Sequence, residues 1–138
     1  MNVEGPLERS QRLEHAMGTF HVGCTVVNHT NRKRTARVPK LLVDTGNDYT
    51  WIPEDVLRKI GVREEKKDLA FVMANGQTIT RTVGFAIVRV DGQFTIDEVV
   101  FARKGDLVLL GARTLEGLNL RVDSKRKKLV AGGPLTAA

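Results

Sequence analysis

Two dipeptides, Asn75-Gly76 and Asp91-Gly92, constrain the fold more than anything else in this chain. Each lies between runs rich in β-branched and aromatic residues, and Asn or Asp followed by Gly tolerates the positive φ that a tight hairpin turn demands. The first joins Leu69–Met73 to Gln77–Val90, and the second joins that long run to Phe94–Ala102. Three successive antiparallel strands follow from local chemistry alone. Further strands are expected at Thr19–Val27, closed by the turn-forming Asn28–Asn31, at Thr35–Val43, at Leu107–Gly111, and at Leu118–Val122 with Leu129–Ala131. Pro39 cannot donate a ladder hydrogen bond, so its stretch belongs at an edge or a bulge.

Helix is scarce. Pro53–Ile60 is the one convincing helix before the C-terminal third: proline suits the first helical position, Glu54 and Asp55 favour the positive N-terminal end, and Gly61 supplies the stop. Val56, Leu57 and Ile60 form its apolar face. Ala112–Glu116 reads as one or two further helical turns. The chain is therefore expected to be all-β with one or two short helices. It divides into an N-terminal extension over 1–16, a single domain over 17–132 and a short tail over 133–138.

With 138 residues, 41% hydrophobic and 28% charged, the chain has the balance of a soluble domain. No apolar run approaches the roughly 20 residues that cross a bilayer, so no membrane partner is expected. Met1–Ala16 carries five charged side chains and no apolar core, which argues against a secretory leader and makes a cytoplasmic address the expectation. Cys24 is the only cysteine, excludes an intrachain disulfide and reads as a core residue. The net charge of +6 gathers in Arg32-Lys33-Arg34 with Arg37 and in Lys125–Lys128, both beside turn residues. One Trp, one Tyr and five Phe supply few stacking platforms, so solvated hairpin tips explain the charge better than nucleic-acid binding does. His15, His21 and His29 lack ligand spacing and no phosphate-cradling glycine loop occurs, so neither metal nor cofactor is expected.

The chemistry gathers at Leu41-Leu42-Val43-Asp44-Thr45-Gly46. A carboxylate ending an apolar strand, followed by a small hydroxyl residue and a glycine, stands at a tight loop where it can serve as acid or base. Hydrolysis by carboxyls alone needs two of them, one to take a proton from water and one, protonated, to donate. The triplet occurs once, and the domain is too short for a second lobe with its own acid. The missing carboxyl must come from a second copy, which makes the active unit a symmetric homodimer.

In this combination the chain resembles the retropepsin family, the retroviral aspartic proteases with their cellular and bacterial relatives. The resemblance covers about residues 18–132. It rests on the Leu-Leu-Val-Asp-Thr-Gly run, the short helix ending at Gly61, the hairpin with Asn75-Gly76 at its tip, and Val108-Leu109-Leu110-Gly111 leading into a helix. It implies a closed, barrel-like half of an acid protease and an aspartic endopeptidase that cuts extended peptides. Asp44 would be the catalytic acid, sharing one proton with its symmetry mate. Thr45 would hydrogen-bond across the dimer axis, and Gly46 would let the backbone approach the substrate. Met73, Ala74, Asn75 and Gly76 would form a flap closing over the peptide. Asp48 matches a position that binds substrate backbone amides, although a turn carboxylate capping the loop explains it equally well. Trp51 and Ile52 either line a pocket or pack in the core.

Two positions depart from the family. Asn47 stands where Ala or Ser is usual, a larger polar group beside the acid. Ala112-Arg113 follows Gly111 where relatives carry an ion-pairing residue, and whether Arg113 reaches Asp48 or a partner chain is open. The rival reading is a non-catalytic dimerisation or peptide-binding module of the same fold.

Overall fold

The computed structural model describes residues 19–137. The expected extension over 1–16 lies outside the described residues. Among those described, the elements run β1 (His21–Val27), β2 (Thr35–Val43), β3 (Thr50–Pro53), α1 (Glu54–Lys59), β4 (Lys66–Val72), β5 (Thr78–Val90), β6 (Gln93–Ala102), β7 (Leu109–Leu110), α2 (Ala112–Leu118), β8 (Leu120–Asp123) and β9 (Lys128–Ala131). The fold is all-β with two short helices, and no helix among the described residues is long and apolar enough to cross a membrane.

Seven strands form one sheet in the order β1-β2-β7-β3-β6-β5-β4, and a further β1–β5 pairing closes it on itself. The closure depends on the length of β5. Its first half pairs with β4, from Thr78 opposite Val72 to Val83 opposite Lys66, and its second half pairs with β1 at Ile87, Val88 and Arg89. One strand thereby hands an edge from one partner to another. Gly84 stands at the handover, where a Cβ would lie 2.3 Å from the Arg63 carbonyl oxygen. β8 and β9 make a separate hairpin.

The two turn dipeptides behave differently. Asp91 and Gly92 both take positive φ, and Val90 pairs directly with Gln93, a two-residue loop of the favoured hand. At the other turn the Gly76 N–H bonds the Met73 carbonyl, Met73 N–H bonds the Gln77 carbonyl, and only Gly76 is left-handed at φ +84°. That is a wider loop with glycine at its end, not a two-residue turn. Pro39 falls where expected. Val22 opposes Leu41 and Cys24 opposes Val38, so Pro39 and Lys40 together face Gly23 in a bulge that asks no N–H of the proline.

Four boundaries shift. Thr50–Pro53 forms a strand where the sequence predicts none, and it runs parallel to β6 from Thr50 opposite Val99 to Pro53 opposite Ala102. Because Pro53 still belongs to that strand, with ψ 132°, it caps α1 instead of entering it. β7 keeps only Leu109 and Leu110 of the expected Leu107–Gly111, since Leu107 turns out to solvent. α2 continues through Leu118, which is buried as helix rather than strand, and Asn119 ends it in the left-handed conformation.

Behind the sheet lies the main core, with Cys24, Leu41, Ile52, Leu57, Phe101, Leu110 and Leu118. Burying Leu57 completely is worth about 2 kcal/mol and fixes α1 against the barrel. The helix's last carbonyls are met from the first hairpin: Asn28 Nδ2 donates to Ile60 O at 2.9 Å and Arg34 to Lys59 O at 2.7 Å. Part of the first basic cluster therefore serves a helix end, where carbonyl charge favours a cation. A second apolar group of Trp51, Val83, Val100, Ala102 and Leu109, flanked by Tyr49, Leu69 and Phe71, occupies the side of the barrel beneath the β4–β5 hairpin.

Candidate active site

Asp44 is fully buried at the point where β2 runs parallel to β7. Its N–H continues the pairing by donating to the Leu110 carbonyl at 3.0 Å. Burying a carboxylate is costly unless its oxygens are hydrogen-bonded, and both of these are. Oδ1 accepts the Gly46 backbone N–H at 3.0 Å, and Oδ2 accepts the Asn47 side-chain amide at 2.8 Å. The loop then doubles back, with Asn47 N–H on the Asp44 carbonyl at 3.3 Å.

The same loop is tied to the start of α2. Ala112 N–H donates to the Asn47 carbonyl at 2.7 Å and Arg113 N–H to the Asp48 carbonyl at 3.1 Å. Such close approach explains the glycine before the helix: a Cβ on Gly111 would lie 2.4 Å from the Tyr49 carbonyl oxygen and 2.8 Å from that of Asp48. Beneath runs a directed chain of buried hydroxyls. Gly111 N–H donates to Thr50 Oγ1 at 3.0 Å, Thr50 and Thr114 hydroxyls meet at 2.6 Å, and Thr114 donates to Asp97 Oδ2 at 3.0 Å. Since the single Thr114 proton goes to Asp97, Thr50 is the donor between the two hydroxyls. Sequence reading missed this chain, because Thr50 and Thr114 are 64 residues apart.

An apolar cleft opens beside the acid, lined by Asn47, Trp51, Phe71, Val72, Met73, Asp106, Leu107 and Leu109. Trp51 and Phe71 rings lie 5.1 Å apart, and Phe71 meets Tyr49 edge-on at 5.5 Å. The indole Nε1 of Trp51 is buried with no hydrogen-bond acceptor among the described residues. Opposite, Asp106 is gripped by Arg81 through two bonds, Nε–Oδ2 at 2.7 Å and Nη2–Oδ1 at 2.8 Å, and also takes the Arg103 N–H. The guanidinium holds the Asp106 carboxyl below the usual carboxylate range, against the opposing effect of burial.

The expected site residues do not all converge. Asp44, Gly46 and Asn47 form one bonded unit, and Met73 reaches the cleft. Asn75 and Gly76 stand exposed at the hairpin tip and Ala74 is half-buried beside them; none of the three lines the cleft. Thr45 is exposed at the loop surface. Asp48 is exposed too, and among the described residues its carboxylate makes no hydrogen bond or ion pair, so it does not cap the loop. Trp51 lines the cleft while Ile52 is wholly core. The Arg113 guanidinium does not pair with the Asp48 side chain; it lies 4.9 Å over the ring of Tyr49 at the end of the loop and bonds Glu98 at 3.3 Å. Cys24 is buried, and burial pushes its thiol up to about 12, as befits a core residue. Phe71, Asp106 and Leu107 entered no sequence expectation for the cleft. Only Phe71 carried a signal, standing two residues before Met73 on one strand.

The sequence model of the family described as gag-polyprotein putative aspartyl protease matches residues 31–117, more than half of the chain and a span that includes every residue of the loop, the hairpin and the cleft. No curated protein matches the chain significantly.

Proposed function

The chain belongs to the gag-polyprotein aspartyl protease family, and from that premise we propose that it is an aspartic endopeptidase completed by homodimerisation. The observation that carries this reading is Asp44: a wholly buried carboxylate, bonded at both oxygens, at the end of a strand and beside an apolar cleft. Each copy supplies one such acid. Two brought together about the axis share a proton, because like charges at that range do not both ionise. The ionised member takes a proton from a water molecule, which attacks the scissile carbonyl carbon. The protonated member donates to the carbonyl oxygen as the tetrahedral intermediate forms. No covalent bond to the protein is made, and collapse of the intermediate passes a proton to the leaving amine.

The remaining residues have supporting parts. Thr45, exposed beside the acid, hydrogen-bonds its counterpart across the axis. Asp48, with its carboxylate unengaged, takes a backbone N–H of the extended substrate. The β4–β5 hairpin closes over the peptide and excludes water, adding strand-like backbone contacts.

The test is a mixing experiment. Wild type is combined with Asp44→Asn in varied proportion, allowed to exchange, and assayed on labelled casein. If only dimers with two acids cut, activity per total protein falls as the square of the wild-type fraction. A linear fall refutes the shared site. Equal turnover by pure Asp44→Asn and wild type refutes the peptidase reading and leaves a peptide-binding or dimerisation module.

A further inference from the structure

Asn47 belongs to two places at once. Its side-chain amide donates to Oδ2 of Asp44 at 2.8 Å, and the same residue lines the cleft with Trp51, Phe71 and Leu109. Its backbone is fixed on both sides, by the Asp44 carbonyl and by the Ala112 N–H, so the side chain springs from an immobile point. The two oxygens of Asp44 are therefore held differently. Oδ1 rests on the Gly46 backbone, which a group in the cleft does not push. Oδ2 rests on a half-buried side chain with two free torsions that such a group does push.

Resting on the reading of Asp44 as the catalytic acid, we infer that Asn47 is a positioning residue that couples occupancy of the apolar cleft to the orientation of the acid. A substrate side chain that fills the cleft presses the amide onto Oδ2 and keeps the carboxyl aligned. A chain too short leaves the amide loose, and one too bulky displaces it. Reaction rates respond steeply to errors of this size. The preferred substrate is a peptide with an apolar side chain of matched length at this cleft, and the preference appears in kcat and not in KM alone. The charged groups bordering the loop are otherwise engaged or turned outward: Asp106 is held by Arg81, Arg113 by Glu98, and Asp48 is exposed.

The test uses the full chain and a peptide series in which the residue seated in the cleft is Ala, Val, Leu or Phe. For wild type, kcat passes through a maximum along the series. For Asn47→Leu, which keeps bulk and loses the donor, kcat falls roughly tenfold and becomes flat while the size preference in KM remains. For Asn47→Ala, which loses both, kcat is low and flat and KM improves steadily toward Phe. A second readout needs no turnover. With the same series carrying a non-cleavable reduced bond, the Asp44 carboxyl carbon resonance, assigned by its loss in Asp44→Asn, moves with side-chain size in wild type and stays constant in Asn47→Leu. If wild type shows that trend and cuts nothing, the coupling stands and the peptidase reading falls. Size dependence confined to KM in wild type, or a kcat maximum and resonance trend retained in Asn47→Leu, overturns the coupling.

Discussion

Thr114→Val tests whether the hydroxyl chain beneath the loop holds the site together. The exchange keeps the shape of the side chain at a fully buried position, so no cavity forms and only polar terms change. Two bonds are lost: the 3.0 Å donation to Asp97 and the 2.6 Å acceptance from Thr50. Losing a hydrogen bond to a carboxylate costs about 1.5 to 3 kcal/mol, and leaving the buried Thr50 hydroxyl without an acceptor costs about 1 to 3 more, partly offset as Asp97 recruits water. A net loss of about 3 kcal/mol is expected. With an unfolding entropy of roughly 2.1 cal/mol/K per residue, that lowers Tm by about 10 °C. The assay is urea or thermal unfolding at one fixed protomer concentration, since dimerisation would add a concentration term. Adding Thr50→Val removes the stranded hydroxyl itself. The double variant should therefore be less destabilised than the sum of the singles by about 1 kcal/mol. A Thr114→Val loss below about 0.5 kcal/mol, or strict additivity in the cycle, refutes the chain as a structural unit.

Three further outcomes follow from the same geometry. Gly111→Ala drives a Cβ to 2.4 Å from the Tyr49 carbonyl oxygen, so stability should fall by about 3 kcal/mol or more and casein cleavage should disappear with the displaced loop; a variant folding and cutting as wild type would contradict the close approach. Arg81 holds the Asp106 carboxyl below its ordinary range, so the pair's contribution is complete above about pH 4, the unfolded value, and is lost as pH falls further through the folded one. Arg81→Met should therefore cost about 2 to 4 kcal/mol at pH 7, for a bidentate pair whose side chains are only 13% and 10% exposed, with the gap in Tm to wild type narrowing below pH 4; a gap independent of pH contradicts the pairing. The buried Cys24 thiol, pushed up to about 12, should resist iodoacetamide at pH 8 in the native protein and react readily in urea, as mass spectrometry of the alkylated chain would show.

What could be read from the sequence is what local chemistry decides. Asp91-Gly92 and Asn75-Gly76 announce hairpins because positive φ is a property of the residues themselves, although the width of each loop differs with the backbone bonds around it. The Asp44 loop is legible for the same reason, as a contiguous run. β3 was not legible. Four residues buried almost throughout show no alternation, and its partner β6 is a parallel strand nearly fifty residues away. The retreat of Leu107 from β7 was hidden too, since the segment before it is anchored by Arg81 from another strand.

The polar contacts beneath and beside the Asp44 loop share this non-local character. Asp97, Thr114 and Thr50 come from β6, α2 and β3, and none has a motif of its own. Asn47 was visible only as an unusual neighbour of Asp44, and its meaning came from a loop geometry that puts its amide on Oδ2. The features that mark the family and the polar contacts around the Asp44 loop are thus carried largely by different residues. A chain can keep Asp-Thr-Gly, the hairpins and Leu-Leu-Gly while losing Thr50, Thr114 or Asn47. Such a chain would retain the fold and the family match yet hold its carboxyl loosely. Among relatives of this protein that keep the Asp-Thr-Gly triplet, differences in activity should accordingly follow the hydroxyl chain and the residue after Gly46.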